Sequence, residues 1–502
     1  MNILFVLILC IILYSIFDLI KKNKKFSKND PPGFKVSLPI MGDLLQIGDR
    51  PHRTFKELEE KFNKGIFKLW MGDIYTVVVT DVDMINEVLV KKGNIFVNRP
   101  SVNSFNQWSY NGRGLVMAND NEWRRIRNLV AGAFSKTKVS RISGLIEDQT
   151  RHLINSLNEH NEKNIPFYPK ALLSKFTLNV IGRLFFSKDV CTDEDIAAVE
   201  NQTKRLIVPI LKVFKTLGIG HLDDFISIIY PFLFLKRKNL QVSIDEIYDF
   251  MKEIYFDHLK NIDYENPKDL MDILIIDTDG KDEKLVVHTA MDFLLGGSHT
   301  SESTMQYFLL KIVEQPHIQK KVYEEMISVA GEDCKFITLD HCKKLTYLNA
   351  CIKEVLRMMP ITPLSVPRVN NEDTEIGGYF VPKGTQIIPN LYGLSNLAKY
   401  VENPEKYIPE RWLEPNNNNN TNISPSTDKY FNNLMKVSVP FSAGIRGCPA
   451  YFLAIDEIMS SCSNMVLNYT FESFDGKTID QTEVFGLTVY PKPYHLKINK
   501  RN

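Results

Sequence analysis

Cys448 is the residue of this chain best placed to do chemistry. It lies in Phe441-Ser442-Ala443-Gly444-Ile445-Arg446-Gly447-Cys448-Pro449-Ala450, ahead of a run with helical period (Phe452, Leu453, Ile455, Met459). Proline favours the first position of a helix, so Pro449 predicts Cys448 at a helix N-terminus, with backbone amides aimed at its sulfur. A free thiol with a pKa of about 8.5 is only a few per cent ionised at neutral pH. The helix end and Arg446 are expected to lower that value and favour the thiolate, the form that attacks electrophiles and binds metals. Gly444 and Gly447 permit a tight turn beneath a flat ligand, and Phe441 can shield the sulfur from water. The plainer reading of a lone cysteine before a helix is a buried structural thiol.

Three further constellations lie upstream. Gly296-Gly297-Ser298-His299-Thr300-Ser301 falls inside an apolar helical pattern over 285–314. Two glycines there cost about 1 kcal/mol each relative to alanine, so they predict a place where the helix yields or approaches a ligand. Thr300 offers a hydroxyl, and His299 an imidazole able to relay protons near neutral pH. Glu354 and Arg357 share a face of a helix predicted over 343–359. An isolated pair of that kind is usually a solvated contact worth under about 1 kcal/mol. Trp123-Arg124-Arg125-Ile126-Arg127 and Val366-Pro367-Arg368 add arginines suited to paired carboxylates.

Taken in their order along the chain, the motifs resemble those of the cytochrome P450 family. Its heme loop, Phe-x-x-Gly-x-Arg-x-Cys-x-Gly, is matched from Phe441 to Cys448, and Ala450 replaces the last glycine. The Glu354-x-x-Arg357 pair is followed by Pro409-Glu410-Arg411-Trp412, similar to the family's Pro-Glu-Arg-Phe segment; His299 stands where the family carries an acid. The resemblance implies heme b with Cys448 as the axial iron ligand, and Trp123, Arg127, Arg368, Phe441 and Arg446 around the cofactor. Glu354, Arg357 and Arg411 are implied to be structural, and Thr300 and His299 to serve oxygen activation. An alternative is that His299 points away and bonds a neighbouring element.

The implied fold is mainly α with small β-sheets (α+β), a triangular prism in one domain over 51–502. The implied function is monooxygenation, one oxygen atom of O₂ entering a lipophilic small molecule. Electrons would come from an NADPH-cytochrome reductase, with cytochrome b5 as a second donor, docking near Arg124, Arg125 and Lys436. Peroxide-dependent or isomerising heme chemistry, and a heme-binding sensor, are the alternatives. Substrate-lining segments are implied at 101–115, 206–234, 361–366 and 485–489.

The elements that must hold these residues are read from pattern. Apolar spacing predicts a helix from His52 to Phe62 and a strand hairpin from Ile66 to Val79, with helices across 122–329 and short strands over 363–386. Lys plus Arg (61) balances Asp plus Glu (60), which recommends no nucleic acid partner. Seven cysteines without a Cys-x-x-Cys pair point to reduced thiols. Residues 1–20 are apolar and precede five lysines, so they are expected to form an uncleaved transmembrane anchor. The positive-inside rule then puts the remainder in the cytosol, and the length suits the endoplasmic reticulum membrane. Residues 21–50 read as a basic, proline-rich hinge, the protein as a monomer, and the asparagine run at 416–420 as a surface loop.

Overall fold

The computed structural model describes residues 3–24, 26–136, 139–192, 207–413 and 433–501. The asparagine run and Leu206 lie outside them.

The predicted helix near the N-terminus is α2 (Pro51–Phe62), following α1 (Ile3–Asn23). The predicted hairpin is β1 (Ile66–Met71) and β2 (Ile74–Val79), paired antiparallel from Ile66↔Val79 to Met71↔Ile74. The helices that build the centre are α3 (Asp120–Lys136), α4 (Pro169–Phe186), α5 (Ile207–Ile219), α6 (Phe234–Asn261), α7 (Glu283–Glu314), α8 (Thr346–Met358) and α9 (Tyr451–Asn468). Short strands follow α8: β3 (Arg368–Val369), β4 (Thr374–Ile376), β5 (Tyr379–Val381) and β6 (Gln386–Pro389). The C-terminal strands are β7 (Tyr469–Ser473), β8 (Glu483–Val484), β9 (Tyr490–Pro491) and β10 (Leu496–Lys500). Mostly helical with small sheets, this is the expected class.

Two helices carry the core. α7 is buried along nearly all its length, and α4 on almost every residue, the pattern of helices enclosed on all sides. They approach closely at Gly297, where a Cβ would come within 2.4 Å of Ile181 Cδ1. In the four-stranded sheet, ordered β1-β2-β6-β3, β3 is an edge strand on β6 (Arg368↔Ile387), and Val369 also bridges to Asn98. That bridge brings the 95–99 segment beside Arg368.

The expectation of a transmembrane anchor is not supported. Among the described residues, no helix is long and apolar enough to cross a membrane. The C-terminal end of α1 is docked on the body: Asp18 and Lys22 are buried and paired, Asp18 accepts from Ile40 N at 2.7 Å, and Trp70 Nε1 donates to Lys22 O at 3.0 Å. The apolar stretch ahead of Asp18, residues 3–17, would reach about 22 Å as a helix, short of a hydrocarbon core of about 30 Å.

Candidate functional site

The Cys448 loop is set by its backbone. Ser442 and Gly444 have positive φ (58° and 70°), and a Cβ on Gly444 would lie 1.8 Å from Leu89 O, so glycine is required there. Cys448 N donates to Phe441 O at 3.0 Å and Gly447 N to Gly444 O at 2.9 Å. α9 begins only at Tyr451, with Ala450 as its N-cap. The predicted helix start at Pro449 is therefore early by two residues, and Cys448 stands ahead of the helix end. Phe441 packs edge-on against Tyr451 at 4.7 Å between centroids.

Cys448 is exposed where it lines a cavity of about 260 Å³. Its surroundings are dense enough that burial raises the thiol pKa, against smaller lowering effects of the Ala450 amide and Arg127. The expectation that helix end and Arg446 would lower it is overturned. Arg446 is turned to backbone carbonyls, Val97 O at 2.9 Å and Leu115 O at 3.2 Å, and stacks over Trp123 at 4.2 Å.

Trp123, Arg127, Arg368 and Arg446 line the same cavity, with Phe441. So does Arg99, which sequence reasoning missed; its guanidinium donates to Val366 O at 2.8 Å and Val116 O at 3.1 Å. Burial lowers the pKa of all four arginines; repulsion from Arg446 and Arg368 lowers it further at Arg99, and repulsion from Arg368 and Arg127 at Arg446. Among the described residues, none of the four is in an ion pair. Arg368 is 1% exposed, yet its Nε and Nη1 have no partner. Buried cations left unpaired are costly, so the arrangement fits an anionic occupant, and a flat group with two carboxylates above a cysteine suits it.

α7 forms the opposite wall. Gly296, Thr300 and Thr304, four residues apart, line the cavity on one face of the helix. A Cβ on Gly296 would meet nothing within 4 Å, so this glycine leaves the wall open, whereas Gly297 serves contact with α4. The helix runs without interruption from Glu283 to Glu314, and the Thr300 hydroxyl donates to Gly296 O at 2.7 Å.

His299 faces away, correcting its assignment to oxygen activation. It is 2% exposed, absent from the cavity wall, bonded through Nδ1 to Thr488 Oγ1 at 3.0 Å, and packed against Phe214 and Tyr490. Burial, then Lys170, pushes its pKa down to about 3 from 6.5. As pH falls, the unfolded chain therefore takes up a proton that folded His299 refuses; stability is complete above the ordinary value and declines below it. At pH 5 the loss from this group is about 2 kcal/mol. His299→Gln is expected to flatten the fall of the urea midpoint between pH 7 and 5. His288, pushed to about 4, remains as background; an unchanged slope would contradict the assignment.

Away from the cavity, Glu354 accepts from Arg357 Nε and Nη2 and Arg411 Nε, each at 2.9 Å, and Trp412 Nε1 at 2.8 Å. Arg357 also donates to Ser395 O (3.0 Å) and Pro404 O (2.8 Å). The pair that alone would read as a surface contact is fully buried.

The four segments expected to line the substrate site divide between two cavities. Leu115, Ile361, Ser365 and Val366 line the first; Phe105, Leu217, Leu222, Leu364 and Phe485 line a second of about 380 Å³. Ser365 belongs to both. Asp292 and Glu457, also missed, line the first cavity as buried carboxylates. Asp292 is a lone acid in an apolar helical run, a signal that was readable; Glu457 follows Asp456 and carries no such signal. Arg99 sits in no motif.

Over residues 31–498 the chain matches the sequence family described as Cytochrome P450. It is 41% identical to the probable cytochrome P450 519E1 of Dictyostelium discoideum, over 97% of each chain. It is 39% identical to the probable cytochromes P450 519D1 and 519B1 of the same organism, over the whole of each chain.

Proposed function

Given that this chain belongs to the cytochrome P450 family, and so is a heme-thiolate monooxygenase with heme b on a cysteine ligand, we propose that Cys448 is that ligand. One observation carries this reading: three buried arginines, Arg99, Arg368 and Arg446, the half-buried Arg127 and, among the described residues, one cysteine on the wall meet in one cavity beneath the Gly296 and Thr300 face of α7. Arg99, Arg127, Arg368 and Arg446 would hold the two propionates, and Trp123 and Phe441 would pack beside the ring. When bound, heme supplies the activation of O₂ by which one oxygen atom enters a C–H bond or alkene.

The protein's own work is orientation and proton handling. Phe293, Leu356, Ile361 and Val366 give a largely apolar wall, suited to a lipophilic small molecule. The second cavity, which shares Ser365 with the first, is its approach. Thr300 Oγ1 lines the cavity with its proton donated to Gly296 O, which leaves the oxygen free to accept from a cavity donor. Reductant is drawn from an NADPH-dependent reductase docking on the Cys448 side, where Arg124 and Lys436 are exposed; Arg125 is engaged by Asp282 at 2.9 Å.

Thr300→Ala tests the reading. Heme content is expected to hold, while product formed per reductant consumed falls about tenfold and hydrogen peroxide rises to balance. Coupling equal to wild type would defeat it.

A further inference from the structure

We propose that His299 is a positioning residue: through Thr488 it fixes the 485–489 turn, and with it the length of lipophilic ligand that the two cavities together accept. The inference deepens the monooxygenase reading above and rests on it.

The turn connects β8 to β9 and is tied to the walls of both cavities. Phe485, Gly486 and Leu487 line the second cavity. Leu487 N donates to Phe214 O of α5 at 3.1 Å, and Val489 N to Ile361 O at 2.8 Å. Ile361 lines the first cavity. The approach to α5 is close: a Cβ on Gly218 would come within 1.7 Å of Gly486 C, so glycine is required there.

The side-chain tie of the turn is to α7. Thr488 and His299 are each 2% exposed, and their bond, 3.0 Å between Oγ1 and Nδ1, is the one side-chain hydrogen bond of the turn among the described residues. The imidazole also packs on Phe214 at 4.8 Å and on Tyr490 at 5.0 Å between centroids. One ring on α7, next in the chain to Thr300, therefore meets α5, β9 and the turn at once. Burial pushes its pKa down to about 3, so the ring is neutral at neutral pH and the bond does not wait on a proton. A buried hydroxyl deprived of its partner costs the desolvation of that group, which favours displacement of the turn. A small ligand stays within the first cavity, whereas a long alkyl chain must run past Ser365 to Phe485 and Leu487 in the second. Displacement of the turn is therefore felt by long ligands and not by short ones.

The experiment compares heme-loaded wild type, H299A, H299N, T488V and T488S. The probes are imidazole and its N-butyl, N-octyl and N-dodecyl derivatives, titrated by the heme spectral shift. Affinity for imidazole is expected to match wild type in every variant. The gain in affinity from butyl to dodecyl falls about fivefold in H299A and in T488V, the effect of one buried hydrogen bond. T488S keeps the gain, H299N restores part of it, and the H299A/T488V double variant loses no more than either single one. Hydrogen exchange at the Leu487 and Val489 amides, followed without any ligand, quickens in H299A and T488V and not in T488S. If H299A fails to hold heme, T488V, which keeps the ring, decides by the same two measurements. A butyl-to-dodecyl gain or amide exchange in T488V equal to wild type overturns the proposal. So does an equal loss of affinity for imidazole itself, which would mark a general loosening of the fold. Absence of a spectral shift with imidazole in the wild type would instead overturn the heme reading on which the proposal rests.

Discussion

Cys448→Ser is expected to abolish the thiolate-type spectrum of the reduced, carbon monoxide-bound protein and bring product formation to background, while some heme is still taken up. The two effects separate because different residues carry them. Arg99, Arg127, Arg368 and Arg446 would still hold the porphyrin carboxylates, and the loop keeps its shape through the Cys448 N to Phe441 O bond, which serine reproduces. A serine hydroxyl does not ionise in this range, so the electron-rich sulfur ligand has no substitute. The folded chain by itself raises the Cys448 pKa, because burial outweighs the Ala450 amide and Arg127. Ionisation of the ligand therefore belongs to metal binding. A serine variant with an unaltered carbon monoxide spectrum would remove Cys448 from its assigned place.

Glu354→Ala is expected to be the most damaging change away from the cavity. It leaves Arg357 fully buried and Arg411 nearly so without their shared carboxylate. Breaking a buried pair in this way costs about 3–5 kcal/mol, because the remaining charge has neither water nor counter-ion. The urea midpoint should fall accordingly. Heme content should fall with it, since Arg357 ties α8 to the Ser395 and Pro404 carbonyls. Glu354→Gln, which keeps an acceptor but loses the charge, should lie between. A midpoint unchanged in Glu354→Ala would show that the cluster contributes nothing to stability.

Much of this was legible in the residues themselves. The hairpin at 66–79 and the long apolar helix ending at Glu314 follow from period 2 and period 3.6, and both are found where predicted. The Cys448 loop was readable because Gly444 answers a backbone demand, a positive φ against Leu89 O. The expected anchor finds no support in the described helices for the opposite reason. Its apolar run is real, but the docking of Asp18 and Lys22 on Ile40 and Trp70 depends on contacts the run does not announce.

The sequence by itself determined which chemical groups are available and their spacing: the thiol at 448, the hydroxyl at 300, and the acid and arginine at 354 and 357. Tertiary structure decided which of them meet. A helix turns its residues by about 100° at each step, so His299 and Thr300 are adjacent in the chain yet face different surroundings. The close contact of α4 with Gly297 sets the rotation of α7; Gly296, Thr300 and Thr304 then face the cavity, and His299 faces Phe214 and Thr488. The same packing places Arg99 beside Arg368 across the Asn98 to Val369 bridge, and Glu457 on the wall shared with Ser301. Those juxtapositions join residues up to hundreds of positions apart, which spacing along one chain cannot specify.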